Sequence, residues 1–369
     1  MKEVTKKMVN WQRIWDDDGN IPLTIITHIL SYFYLGVVTL RNRFYDRGLL
    51  KEVKLPCPVI SVGNITVGGT GKTPCVIMLA QMLKKNGFRP AVISRGYGGR
   101  STNPVNVVSN GEAILLDSET AGDEPFLMAD VLKGIPVITG AERKVTGKAA
   151  IEKYGADVII CDDAMQHRQI FRDINLILWD SEGLKGNYHV LPRGKLREPV
   201  EEIRRASAML FTRADADVKP DAKIEEIIHA CKIPVFISSH HPEAIISGDE
   251  RIQKPVSELS GKKVYAFCGI ANPASFEKTL LAAGAKLIAL ESFPDHHGYD
   301  EKEIEKIKTG FFESGADYLL TTQKDAVRLR NYPGFLKMLF SLRIKLEIKP
   351  SADLFDKFIL ETIKMCRKN

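Results

Sequence analysis

Residues 61–74, SVGNITVGGTGKTP, constrain this chain more than any other stretch. A short apolar run, CPVISV at 57–62, leads into it, and residues 74–85 after it read as a helix with Pro74 in the first turn. A buried strand that enters a glycine-rich turn and opens a helix points successive backbone N–H groups at one spot, and that concavity takes phosphate oxygens. The stretch ends in Gly71-Lys72-Thr73, as the pattern G-x-x-x-x-G-K-[ST] requires, yet Thr66 stands where the pattern wants its first glycine. Gly68 and Gly69 are expected to supply the tight curvature instead. On this reading the amides of Gly68, Gly69, Thr70 and Gly71 hold phosphate. Lys72 reaches the β- and γ-phosphates of a nucleotide, and the Thr73 hydroxyl ligates Mg²⁺.

A partner motif lies about ninety residues on. VIICDD at 158–163 is an apolar strand ending in Asp162 and Asp163, and enzymes with such a phosphate loop hold their metal with an acid at a strand end. Strand-like runs recur at 91–94, 105–108, 137–139, 174–179 and 208–212, with helical sequence such as 143–154 between them. The alternation predicts an α/β fold of the P-loop NTPase kind, a mostly parallel sheet with helices on both faces. From 213 to 260 the pattern weakens into polar, turn-rich sequence (ADADVKPDAK, SSHHPEAIISGDE). A second series then runs through 263–269, helices near 275–283 and 301–314, a strand at 317–322 and a closing helix at 354–366. The expected division is an N-terminal segment at 1–50, a P-loop core at 51–225 and a smaller C-terminal α/β domain at 226–369. The last helix can pack back on the core.

Two domains suit 369 residues, and 44% hydrophobic with 27% charged residues suit a soluble core. The net charge of +6 favours an anionic partner. Basic and aromatic residues do not interleave in a stripe, which argues against nucleic acid. Six cysteines without a C-x-x-C pair or a Cys/His cluster predict neither a disulfide framework nor a zinc site, and read as reduced, intracellular thiols. Residues 21–40, IPLTIITHILSYFYLGVVTL, contain no Asp, Glu, Lys or Arg, and Arg41, Arg43, Arg47 and Lys51 follow. Asp16, Asp17 and Asp18 ahead of the run, and the lack of a small-residue cleavage site after it, argue against a signal peptide. An apolar helix with a basic flank suits an anchor resting on an anionic leaflet; a buried core helix and a true span are the other readings.

Six further clusters carry chemistry: SRGYGGR (94–100), GDEP (122–125), Gln166-His167-Arg168, LPRGKLREP (191–199), FPDHHGY (293–299) and TQKDAVRL (322–329). Each alone is compatible with a solvated loop. GDEP offers adjacent carboxylates for a base and a metal contact, FPDHHGY an imidazole, and the arginine-bearing loops guanidinium groups for phosphate.

In this order the set resembles the tetraacyldisaccharide 4′-kinase family of lipid A biosynthesis. The matching pieces are GNITVGGTGKTP, SRGYGGR, GDEP, DDAMQHR, LPRGKLREP, CGIANPASF, FPDHHGY and TTQKDAVRL, spread over most of the chain. The resemblance implies a kinase that uses ATP and Mg²⁺ to phosphorylate the 4′-hydroxyl of an acylated glucosamine disaccharide 1-phosphate, giving lipid IVA. It implies a peripheral or monotopic place at the cytoplasmic face of the bacterial inner membrane. It also implies Asp123 as the base, Glu124 close to the metal, and His296 (His297 as the fallback) orienting Asp123 or adjusting its pKa. Asp162 and Asp163 complete the metal environment, with either as the direct ligand. Asn64, Arg95, Tyr97, Gln166, His167 and Arg193 are the implied substrate side. Arg193 and Lys195 suit either the 1-phosphate or a solvated turn. Ala164, Met165 and Gln323 depart from the family's Gly, Phe and acidic residue, and the alanine asks whether that turn needs a positive φ.

A nucleotide switch or metallochaperone-type NTPase would use the same loop and acidic strand, and Thr212-Arg213-Ala214-Asp215 resembles a GTPase base-reading tetrapeptide. Such a protein needs neither a base for an acceptor nor an apolar helix. The oligomeric state is left open.

Overall fold

The computed structural model describes Trp15 and residues 21–181, 187–214 and 220–367. The first series supplies β1 (Val59–Gly63), β2 (Pro90–Ser94), β3 (Asn106–Ser109), β4 (Val137–Thr139), β5 (Val158–Asp162), β6 (Ile174–Asp180) and β7 (Ala208–Thr212). The second supplies β8 (Val235–Ser247), β9 (Gln253–Pro255), β10 (Lys263–Cys268), β11 (Lys286–Ser292), β12 (Tyr318–Thr322) and β13 (Leu339–Ile348). All join one sheet in the order β11-β10-β12-β13-β8-β7-β6-β1-β5-β2-β4-β3, with β9 beside β8. Pairing is parallel except at β3·β4, β8·β13 and β8·β9. β1 and β5 are buried throughout because helices cover both faces, and their near-unbroken apolar sequence follows from that.

β8 corrects the sequence reading. SSHHPEAIIS is strand, not turn: it runs antiparallel to β13, while the preceding Val235–Ile237 of the same strand pair parallel with β7 at Met209–Phe211. The pattern is faint because this strand lines an open cleft with His240, Glu243 and Ile246, so neither face is apolar along its full length. β13 hides for the same reason: Arg343 and Lys345 interrupt its apolar residues where they line the cleft. The expected boundary near 225 falls inside the helix Ala222–Cys231.

Six helices position the site: α1 (Ile21–Asp46), α2 (Lys72–Lys85), α3 (Asp123–Val131), α4 (Arg143–Tyr154), α5 (Gln323–Arg328) and α6 (Ala352–Cys366). On one face of the sheet Leu79 and Leu83 of α2, Met128 of α3, and Phe355, Ile359 and Ile363 of α6 share a core with Ile60 and Leu176. On the other, Ala150 of α4 packs with Ile93 and Ile159.

α1 is amphipathic in reverse. Its polar residues Thr27, Ser31 and Asn42 are buried, while Ile25, Ile29, Phe33, Val37 and Leu40 face outward, Phe33 at 75% exposure. The inward side is tied to the LPRGKLREP loop: Ser31 Oγ donates to Val190 O, Tyr34 Oη to Arg197 O at 2.9 Å, and Asn42 Nδ2 to Glu198 Oε1 at 3.3 Å. The core-helix reading is therefore corrected: among the described residues only 17% of the apolar stretch is buried.

Phe355 is fully buried, with its ring 5.0 Å from Phe236 and edge-on to it. Phe355→Ala should cost about 3–5 kcal/mol, read as a lowered midpoint in urea with a nearly unchanged slope.

Candidate active site

The Thr66 anomaly has a local cause. Thr66 forms a β-bridge with Leu196, flanked by Val67 N–H donating to Lys195 O at 2.8 Å and Arg197 N–H to Ile65 O at 2.7 Å. Extended backbone occupies the place of the first glycine, so the turn begins later. Gly68 (φ 107°) and Gly71 (φ 85°) take the left-handed conformations, and Gly69 does not, which corrects the expectation that Gly69 curves the loop. Gly71 is required twice over: a Cβ there would lie 2.9 Å from His240 Nε2. Thr212 Oγ1 donates to Thr70 O at 3.0 Å and the Arg213 guanidinium to Gly69 O. Thr212 and Arg213 thus brace the loop; Asp215 lies outside the described residues.

α2 opens at Lys72, whose Nζ sits 3.4 Å from Asn64 Oδ1 and 3.5 Å from Asp163 Oδ1. Asp162, at the end of β5, is buried. Its Oδ2 accepts from Ser94 Oγ at 3.2 Å, and its Oδ1 has no hydrogen-bond partner. Asp163 turns the other way and takes Arg197 Nη1 on both oxygens, at 2.9 and 2.8 Å. The positive φ of this turn falls on Asp163 (46°), so Ala164 fits without strain. Burial, and then the carboxylates of Glu124 and Asp163, push Asp162 up to about 7. Burial also raises Asp163, but Lys72 and Arg197 outweigh it and hold that carboxyl below its ordinary value.

This donor set fits Mg²⁺. Asp162 has a buried oxygen to spare, Thr73 is buried at the start of α2, and Glu124 completes a hard-oxygen group. Among the described residues no three His, Cys, Asp or Glu side chains cage an ion, as suits a cation that keeps waters and phosphate oxygens in its shell.

GDEP meets SRGYGGR at Gly122, where a Cβ would stand 2.5 Å from Tyr97 O. The close approach aims the first turn of α3 at the cleft, and carboxylates there are favoured by the helix dipole. Asp123 Oδ2 accepts from Arg328 Nε at 2.6 Å and lies 3.5 Å from His296 Nδ1. Burial raises the Asp123 carboxyl, but the His296 and Arg328 contacts outweigh it and hold it below the ordinary range. The Asp123 contact raises His296 against its burial. Burial likewise raises Glu124, and the Lys324 ammonium seated on it brings it below its ordinary value. His297 has another place: its Nε2 is 2.9 Å from Glu303 Oε2 and its ring stacks on Phe293 at 4.9 Å.

One cleft of about 1780 Å³ is lined by the glycine loop, Lys72, Thr73, Glu124, Asp162, Asp163, Arg95, Tyr97, Gln166, His167 and His296. The edge of Tyr97 lies 6.1 Å from His296, ring centre to ring centre. Asn64 is buried behind the loop and accepts Gln166 Nε2 on its carbonyl at 2.9 Å. Arg193 is not brought to the cleft. It is 3% exposed beneath α1, with Nε 3.2 Å from His28 Nδ1, which also corrects the solvated-turn reading. Arg197, Lys324, Asp325 and Arg328 were not singled out in the sequence. Their signal is the motifs that contain them, but the site carboxylates that Arg197, Lys324 and Arg328 meet lie 34 to 205 residues away.

The sequence model of the family described as tetraacyldisaccharide-1-P 4′-kinase matches residues 23–364. The tetraacyldisaccharide 4′-kinase of Syntrophus aciditrophicus (strain SB) is 42% identical over 366 residues, covering 96% of this chain and 98% of that one. That of Desulfotalea psychrophila is 42% identical over 335 residues, covering 90% and 94%. The chain belongs to the tetraacyldisaccharide-1-P 4′-kinase family. Among solved structures, LpxK from Aquifex aeolicus, crystallised in complex with ATP, superposes with a TM-score of 0.75 at 34% identity, covering 90% of this chain and 97% of that one. The shared fold therefore extends over 90% of this chain.

Burial above all, then neighbouring guanidinium groups, pulls His167 and His240 down to about 4. Both stay neutral when folded, whereas the unfolded chain protonates them near pH 6.5. Their contribution to stability is complete above pH 6.5 and is lost as pH falls towards 4. Melting temperatures at pH 7.5 and pH 5 should differ in the wild type, and His240→Gln should narrow the gap.

Proposed function

We propose that this chain transfers the γ-phosphoryl group of ATP to the 4′-hydroxyl of a tetraacylated glucosamine disaccharide 1-phosphate, giving lipid IVA. The observation that carries the reading is the His296 imidazole, which lines the same cleft as the phosphate loop and has the Asp123 carboxylate 3.5 Å from its Nδ1. A protein that only binds or hydrolyses a nucleotide has no use for a carboxylate arranged to take a proton from an acceptor alcohol. The base-reading resemblance at 212–215 also loses force, because Thr212 and Arg213 are engaged by the loop itself.

Each residue then has a task. The Gly68–Gly71 amides and Lys72 hold the β- and γ-phosphates, with Lys72 pre-aimed by Asn64 and Asp163. Thr73, Asp162 and Glu124 would hold Mg²⁺, whose charge offsets that of the phosphate oxygens. Asp163 serves as the counter-charge for Lys72 and Arg197. Asp123 accepts the proton of the 4′-hydroxyl as its oxygen attacks phosphorus, and His296 orients Asp123 and shares that charge. Arg95, Tyr97, Gln166 and His167 offer polar contacts to the sugar. Flexing that brings the second series against the P-loop core would exclude water.

The outward side of α1 and the basic residues at its end support docking on an anionic leaflet, at the cytoplasmic face of the inner membrane. The helix is long and apolar enough to cross a bilayer. Its polar contacts with the 190–198 loop, from Ser31 to Asn42, favour a helix lying on the surface with its body still attached to the protein.

Purified protein in mixed micelles with γ-labelled ATP and the acylated disaccharide 1-phosphate should place label in the lipid. Continued ATP hydrolysis with no labelled lipid would sink the kinase reading. Asp123→Ala should lower kcat by about 10²–10⁴-fold and leave the KM for ATP unchanged. Ile29→Asp with Phe33→Asp should release the protein from sedimenting anionic vesicles; unchanged sedimentation would reject the anchor.

A further inference from the structure

Asp123 and Glu124 each meet a cation from one short helix of the second series. α5 follows β12 directly, with Thr322 capping the Asp325 N–H through its hydroxyl. Lys324 and Arg328 are four residues apart and therefore lie on one side of that helix. Lys324 reaches Glu124, and Arg328 reaches Asp123. Asp325, between them, faces inward and is fully buried. It accepts Gly269 N–H at 3.1 Å, Tyr299 Oη at 3.0 Å, Thr322 Oγ1 at 2.6 Å and Arg328 Nη1 at 2.9 Å. Arg328 Nη1 also donates to Gly269 O at 2.9 Å.

The plane of the guanidinium is thus set by buried groups that take no part in phosphate binding. One edge is held by Asp325 and Gly269. The remaining donors face the reacting pair: Nε lies 2.6 Å from Asp123 Oδ2, and Nη2 lies 3.3 Å from His296 Nδ1. A rigid planar fork can fix two partners relative to each other, which a lysine at the same place cannot do. Exposed ion pairs contribute little stability, but this arginine side chain is only 5% exposed and its other contacts are all satisfied. Its orientation is over-determined, so the carboxylate it grips is oriented too.

We propose that Arg328 is a positioning residue that holds the carboxylate of Asp123 in register with the imidazole of His296 across the contact between the two series. This rests on Asp123 being the base. The second series then does more than cover the cleft: correct seating of α5 is a condition for proton removal from the acceptor.

The test is lipid labelling at single turnover with Arg328→Ala and Arg328→Lys, each alone and combined with Asp123→Ala. Arg328→Ala should lower kcat about 100-fold, the scale of a small misplacement of a reacting group. The KM for ATP should stay unchanged, which also shows that the variant folds. Arg328→Lys should fall between. Added methylguanidinium should raise the rate of Arg328→Ala and leave that of Asp123→Ala Arg328→Ala where it is. With Asp123 already replaced, losing Arg328 should cost nothing further, because it acts through that carboxylate. An equal loss in both backgrounds, or no response to methylguanidinium, would make Arg328 a tether and overturn the proposal. Asp123→Ala at the wild-type rate would overturn the base assignment, and the proposal with it, a result visible before Arg328 is touched.

Discussion

Three carboxylates converge where β5 ends, and the rest of the molecule is arranged around their charge. Asp162 is buried among Glu124 and Asp163, and a cluster of that sign is costly unless cations answer it. The answers come from separate parts of the chain. Lys72 comes from the nucleotide loop, Arg197 from the loop that carries α1, and Lys324 from the helix after β12. Each ion pair therefore also ties a piece of the fold to the site. One oxygen of Asp162 is left without a hydrogen-bond partner, open to a divalent cation.

The loop, the acidic strand and most of the β-α alternation were legible because each is local. Apolar strands buried on both faces announce themselves, and a glycine-lysine-threonine turn has little else to do. What stayed hidden depends on distance or on half-burial. β8 and β13 line a cleft, so their polar residues broke the pattern that marks a strand. Arg197, Lys324 and Arg328 sat inside recognised motifs, yet nothing local says which carboxylate each one meets. Thr66 looked like a defect only while its bridge partner, Leu196, was out of view. The curvature expected of Gly68 and Gly69 falls on Gly68 and Gly71, and at Gly71 a Cβ would crowd His240.

α1 shows a further limit of reading hydropathy along a chain. Its twenty uncharged residues were plain, but not which side the protein would keep. The protein kept the threonine, serine and asparagine and turned the isoleucines and phenylalanine outward. Hydrogen bonds to the 190–198 loop, together with Tyr34, Leu35 and Val38 packed inward, hold the helix in place. The same loop supplies Arg197 to Asp163, so the exposed apolar helix and the acidic end of β5 are braced by one residue.

β8 is a single strand of 13 residues that belongs to both halves of the sheet. Lobes joined by a linker can part freely. Lobes that share a strand can only flex it, and each ladder bond they keep limits how far. The natural crease is the irregularity where β13 shifts register between Arg343 and Ile344, opposite Pro242 and Ala244. His240 lies just before that crease, against Gly71. Any bending there would move the ring that backs the nucleotide loop, so the two halves of the sheet and that loop are joined by one piece of backbone.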